Sequence, residues 1–211
     1  MLWGSLIVTA LVIYFTQFLP FNYTVNSSLY AGITNSTNLD GTELLNINST
    51  FDNIINIAKS KSTLEKVSIR LLATNLVHGD EWKDNMYIQA KHYRQLVQAT
   101  PKEVLALVDR SSVDKTTENL TKYRKESGQN YIYAIFSRPT AYYSYAALNT
   151  IDVKRLGTSD LIEINYTTTD PGIAQNTVKI LEDELMKAYE ILRFSACLLY
   201  TSPSPRDSTS S

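Results

Sequence analysis

The sequence predicts an α+β fold. An N-terminal transmembrane helix is followed by an extracytoplasmic domain with a small β-sheet of about three strands and several helices, ending in a truncated long helix. Three observations carry this expectation. Residues 2–21 are almost wholly apolar, and no Asp, Glu, Lys or Arg precedes Asp40. Around Gly157, two stretches of strand-like residues flank a Leu-Gly-Thr-Ser turn. From Asp170 onward, Ala174, Val178, Leu181, Leu185, Ala188 and Leu192 recur at spacings of three and four, the period of an amphipathic helix.

Taken in order, residues 2–21 match the ~20 residues a helix needs to cross a hydrocarbon core. Trp3 and Tyr14, Phe15, Phe18 and Phe21 suit its interfaces. A cleaved signal peptide fits less well, because no basic leader or small-residue cleavage site is evident. Tyr23, Val25, Leu29, Ala31 and Ile33 then alternate with polar residues, which predicts a half-buried strand. The Asn/Thr/Ser-rich stretch 34–49 reads as a loop. Thr50 caps a predicted short helix over 51–59, and Ser62 with Glu65 forms a capping box for the next, with Leu64, Val67, Leu71 and Leu72 on one face. The HGDEWKDN stretch, 78–85, breaks the pattern, and helix resumes over 88–97. Thr100-Pro101-Lys102-Glu103 predicts a helix start, and 114–126 a more polar helix anchored by Leu120 and Tyr123. Residues 131–136 suit either a strand or a buried helix, and 141–148 a helix. In the hairpin Ile162, Ile164 and Tyr166 share the buried face, and Gly157 supplies the turn. Asp170 caps the last helix and Pro171 takes its first position.

Composition narrows the function classes. A net charge of -1 gives no electrostatic reason to expect nucleic acid, and two His with one Cys disfavour a His/Cys metal centre or a cysteine enzyme. No cofactor motif is present, and no Gly-rich phosphate loop. His78 and His92 are too isolated to suggest a metal or a base, and read as surface or packing residues. The tyrosines near 131–145 could stack on sugar rings, though packing accounts for them as well. Six Asn-X-Ser/Thr sequons, at Asn22, Asn26, Asn35, Asn48, Asn119 and Asn165, reflect the abundance of these residues, since several fall within predicted strands or helices. Lys154 and Arg155 could meet an acidic glycan or simply face solvent. Glu163, Asp170, Asp152 and Asp160 are the nearest candidates for a paired-carboxylate glycan enzyme, and each has an ordinary strand, turn or cap explanation.

The stretch from Cys197 to Asp207 resembles the conceptual translation of a transposase-based sequencing-library adapter. The native sequence is therefore expected to stop near 194–196, with 197–211 an artefactual or disordered tail, 1–21 a transmembrane helix and 22–196 an incomplete extracytoplasmic domain.

An apolar span entering a strand, a helical middle, and Ser159-Asp-Leu-Ile-Glu-Ile-Asn-Tyr-Thr-Thr-Thr-Asp-Pro-Gly-Ile-Ala174 occur in that order. Together they resemble the first half of the polysaccharide co-polymerases, the Wzz-type chain-length determinants and their exopolysaccharide-export relatives. The resemblance implies a non-enzymatic bacterial inner-membrane protein with its main domain in the periplasm. It would form homo-oligomeric rings and act with a polysaccharide polymerase, export proteins and the growing polysaccharide. Asp170 and Pro171 are assigned to a structural helix start, because the cap explains both without a ligand, and the resemblance implies that Ile162, Ile164, Tyr166, Val178, Leu181 and Leu185 make core or oligomer contacts. The family's second span and the return of its helical arm do not occur in this sequence, and a cytoplasmic tyrosine kinase accompanies some relatives. A glycan-active enzyme and a sensory ectodomain are the alternative readings.

Overall fold

A computed structural model describes Thr9, Leu11, Tyr14 and residues 21–31 and 41–201. In chain order its elements are β1 (Tyr23–Tyr30), α1 (Gly41–Lys59), α2 (Lys61–His78), α3 (Ala90–Ala99), α4 (Lys102–Leu105), α5 (Val113–Glu126), α6 (Tyr131–Ser137), α7 (Tyr145–Leu148), β2 (Asp152–Arg155), β3 (Leu161–Thr168) and α8 (Pro171–Thr201). The strands form one antiparallel sheet in the order β1-β3-β2. Tyr23 opposes Thr168 and Tyr30 opposes Leu161 on one side of β3; Asp152 opposes Asn165 on the other.

Among the described residues no helix is long and apolar enough to cross a membrane. This corrects the predicted fold class to helices packed on a three-stranded sheet. The long helices are interrupted by charge: α2 carries Lys61, Glu65, Lys66 and Arg70, and α8 carries Lys179, Glu182, Asp183, Glu184 and Lys187. Apart from Thr9, Leu11, Tyr14 and Phe21, the predicted span lies outside the described residues, as does most of the tail. Helix α8 itself runs to Thr201, five residues into the segment assigned to that tail.

Helix α2 is the centre of the molecule. The sequence suggested a single apolar face, yet twelve of its 18 residues are buried, because α5, α7 and α8 pack around it. Its start also differs from expectation. Ser60, not Ser62, is the cap and accepts from Thr63 N at 3.2 Å, leaving Glu65 to pair with Arg124 at 2.6 Å. Helix α1 begins at Gly41 within the predicted loop. In sequence, Leu44, Ile47, Phe51, Ile54 and Ala58 recur at three- and four-residue spacing, and Phe51, Ile54 and Ala58 are buried.

Other local signals resolve differently. Thr100 closes α3, donating from Oγ1 to Leu96 O at 2.7 Å, and α4 is only four residues long. The 131–136 run is helical, with the Asn130 side chain capping it through Tyr133 N at 3.1 Å. Of 141–148, only Tyr145–Leu148 is helix, capped by Ser144. The turn between β2 and β3 places Gly157 at φ 59°, in the left-handed region that glycine adopts without steric cost.

The buried face of β3 (Ile162, Ile164, Tyr166) meets the stripe of α8 (Ala174, Val178, Leu181, Leu185) in one continuous core. Arg155 ties β2 to α1: its guanidinium lies 4.0 Å from the Phe51 ring centroid and Nη1 donates to Asn48 Oδ1 at 2.8 Å.

Candidate functional site

The junction where β3 passes into α8 holds a fully buried carboxylate, Asp170, with several hydrogen-bond partners. Its Oδ1 accepts from Gly172 N at 3.0 Å and Ile173 N at 3.2 Å, the geometry of an N-cap. Its Oδ2 accepts from Gln89 N at 2.9 Å and lies 2.7 Å from His92 Nδ1. One carboxylate thus sits where the N-termini of α3 and α8 converge, and both helix dipoles favour its charge. Helix α8 is joined again to the loop before α3 by Asn176, whose Nδ2 donates to Met86 O at 3.0 Å.

Because a carboxylate only accepts, the His92 proton facing Asp170 belongs on Nδ1, which leaves Nε2 as an acceptor for the Tyr142 hydroxyl at 3.2 Å. Tyr142 Oη also shares a hydrogen bond with Thr169 Oγ1 at 2.8 Å. The loop bearing Tyr142 is held by α2: Ser68 Oγ donates to Tyr143 O at 2.6 Å, and Asn75 Nδ2 donates to Tyr143 Oη at 2.8 Å. Burial pushes the Tyr142 phenol up; the Thr169 bond opposes this and the Asp170 charge adds to it. A nucleophile needs a base that takes its proton. A phenol held in its protonated form, with both hydrogen-bonding directions in use, is instead suited to bracing α3, β3 and the 140–144 turn against one another.

Beside this brace lies a cavity of about 340 Å³, lined by α3 (His92, Leu96), α6 (Tyr131, Ile135), Arg138 just past the end of α6, and Tyr142 among others. The tyrosine cluster does not form a single stacking platform. Tyr143 is buried in the core, Tyr131 and Tyr142 line the cavity, and Tyr133 lies under Arg124 at 4.9 Å.

The residues singled out in the sequence are dispersed. Asp170 and Pro171 start α8, and Ile162, Ile164, Tyr166, Val178, Leu181 and Leu185 all lie in the core. Glu163 and Asp152 flank Lys154 at 3.1 and 3.5 Å on the outer face of the sheet. The Glu163 hydrogen bond and charge, followed by Asp152, hold the Lys154 ammonium above its ordinary range. Arg155 is engaged with Asn48, Phe51 and the turn carbonyls of Thr158 and Ser159. His92, read from the sequence as a surface or packing residue, instead bonds the buried Asp170. It is 78 positions from Asp170, and no local spacing links the two. His78, by contrast, stacks on Tyr87 with ring centroids 4.2 Å apart. No group of metal-ligating side chains occurs among the described residues.

These features define an α+β domain with a helix-backed three-stranded sheet, an Asp-His-Tyr brace built on the buried Asp170, and an adjoining, mainly apolar cavity. Compared with known protein families, characterised proteins and solved structures, the chain finds no match in any of the three.

Proposed function

We infer that the protein is a non-enzymatic scaffold in surface-polysaccharide assembly, helping to set the length or export of an O-antigen, capsule or exopolysaccharide. The observation that supports this reading most is the union of its sequence motifs in one layer. Strand β1 pairs along its whole length with β3, and β3 runs through Asp170-Pro171 directly into α8. The strand and the Asp-Pro helix start that carry the resemblance to polysaccharide co-polymerases are therefore neighbours in space as well as ordered in sequence. The roles of Asp170 found here, cap and brace, need no substrate.

On this reading the domain works on the periplasmic side of the bacterial inner membrane, as a homo-oligomer with a polymerase, export proteins and the growing chain as partners. The deciding experiment is deletion of the complete gene in its host, with the surface polysaccharide resolved by length on a gel. Loss or shift of the modal length, restored by the wild-type gene in trans, is expected. A length distribution and surface amount identical to the parent strain would refute the proposal.

A further inference from the structure

The cavity between α3 and α6 carries a single arginine at its rim, set against walls that are mainly apolar. Among the described side chains, Arg70 pairs with Asp114, Arg94 donates to Glu81 O, Arg110 to Tyr93 Oη, Arg124 to Glu65, and Arg155 to Asn48. Arg138, at the cavity rim, has no such partner among the described residues, and no acidic side chain lines the cavity. We propose that this cavity binds a small apolar carboxylic acid, its ring or short chain lying against Leu96, Ile135 and Tyr142 and its carboxylate paired with Arg138.

Three features select that ligand class. The volume, about 340 Å³, falls at the lower end of the ~300–1,000 Å³ typical of small-molecule sites, too small for a lipid or a folded peptide segment. The walls are mainly carbon, which favours an apolar body. The wall hydroxyls are already committed: Tyr131 Oη to Thr100 Oγ1 at 3.2 Å, and Tyr142 Oη to His92 and Thr169. A sugar ring needs several hydrogen-bond partners and would find only Gln95 and Arg138 uncommitted there, whereas a carboxylate requires only the guanidinium fork. The Asp170-His92-Tyr142 brace fixes one wall before any ligand arrives, which lowers the entropic cost of binding. The inference stands independently of the polysaccharide reading.

The test is a calorimetric titration of the full chain with 3-phenylpropionate and with octanoate, and with 3-phenylpropanol as the uncharged counterpart. At least one acid should bind saturably, and 3-phenylpropanol about tenfold more weakly than 3-phenylpropionate, or not at all. Arg138→Ala should weaken acid binding by about tenfold or more, Ala134→Trp should abolish it by filling the cavity, and Lys122→Ala, an equal charge change elsewhere, should leave it unaltered. Arg138 is exposed, so its variant keeps the readout even if Ala134→Trp fails to fold. Absence of saturable binding by both acids up to about 10 mM overturns the proposal. So does undiminished binding in an Arg138→Ala variant with native circular dichroism, or equal affinity for 3-phenylpropionate and 3-phenylpropanol.

Discussion

Asp170 does at one position what two residues usually do, and substitutions can separate the two roles. Asparagine is as good an N-cap as aspartate, so a carboxylate that served only to cap α8 would tolerate Asp170→Asn at little cost. Here the second oxygen faces two donors, Gln89 N and His92 Nδ1. The Asn amide either turns its NH₂ toward them or gives up the cap. We therefore expect Asp170→Asn to destabilise by about 1–3 kcal/mol, and Asp170→Ala, which loses every acceptor, by about 2–4 kcal/mol. Urea unfolding of both variants, alone and with His92→Ala, is the measurement. A smaller Asn penalty in the His92→Ala background, by more than about 0.5 kcal/mol, identifies the brace, and equal penalties in both backgrounds would exclude it. Tyr166 supplies a pH-dependent counterpart on β3. Burial pushes its phenol up to about 12, against a weaker lowering by Thr168. The folded state then holds a proton that the unfolded chain releases near pH 10. Above pH 10 the native state binds more protons than the unfolded one, so stability falls as pH rises. It is fully present below about pH 10 and declines through about pH 12 by roughly 1.4 kcal/mol per pH unit for this group. Urea midpoints measured from pH 9 to 11 should therefore fall less steeply for Tyr166→Phe than for the wild type.

Among the elements, the contact between α8 and the 79–89 loop gives the clearest reversal of a general rule. Alanine usually stabilises a helix over glycine by about 1 kcal/mol. A Cβ on Gly172, however, would lie 2.6 Å from the carbonyl carbon of Tyr87 and 2.8 Å from its oxygen, which are backbone atoms unable to step aside. Gly172→Ala should therefore destabilise by about 1–3 kcal/mol. Gly128→Ala, with nothing within 4 Å of the added atom, should be neutral or stabilise by up to about 1 kcal/mol. Thermal unfolding of the two variants side by side checks both signs. The same junction explains what sequence could and could not reveal. Strand β3, the Gly157 turn and the start of α8 were legible because each is specified by neighbours a few residues apart: alternation, a left-handed turn residue, Asp before Pro. The start of α2 was misplaced because Ser60 and Ser62 are equally good caps and only packing chooses between them. The helical 41–49 stretch was hidden by its Asn and Thr content, which masks the continuation of the α1 stripe. The pairing of His92 with Asp170 left no trace in any window, since it depends on the loop around Asp84 and Asn85 delivering α3 to the mouth of α8. There Asp84 Oδ1 accepts from Ala90 N at 2.7 Å and Asn85 Oδ1 from Ile88 N at 3.0 Å.

At the scale of the whole molecule, the sheet and the helices share one core, and α2 is the piece common to both halves. It packs on α8, which covers the sheet, and on α5 and α7. A helix with most of its residues buried draws its stability from its neighbours rather than from intrinsic propensity, so α2 cannot persist once either half is lost. The expected consequence is a single cooperative transition. In urea, the far-ultraviolet circular dichroism of the helices and the near-ultraviolet signal of the buried tyrosines, Tyr93, Tyr143 and Tyr166, should change together. Leu72 is fully buried in α2, so Leu72→Ala removes core contacts without touching the polar brace. It should cost about 2–5 kcal/mol, lowering the midpoint while leaving the dependence on urea, and hence the surface exposed on unfolding, unchanged. If the tyrosine signal of the variant were lost while the helical signal persisted, the two halves would be separable, and α2 would belong to one of them instead of joining both.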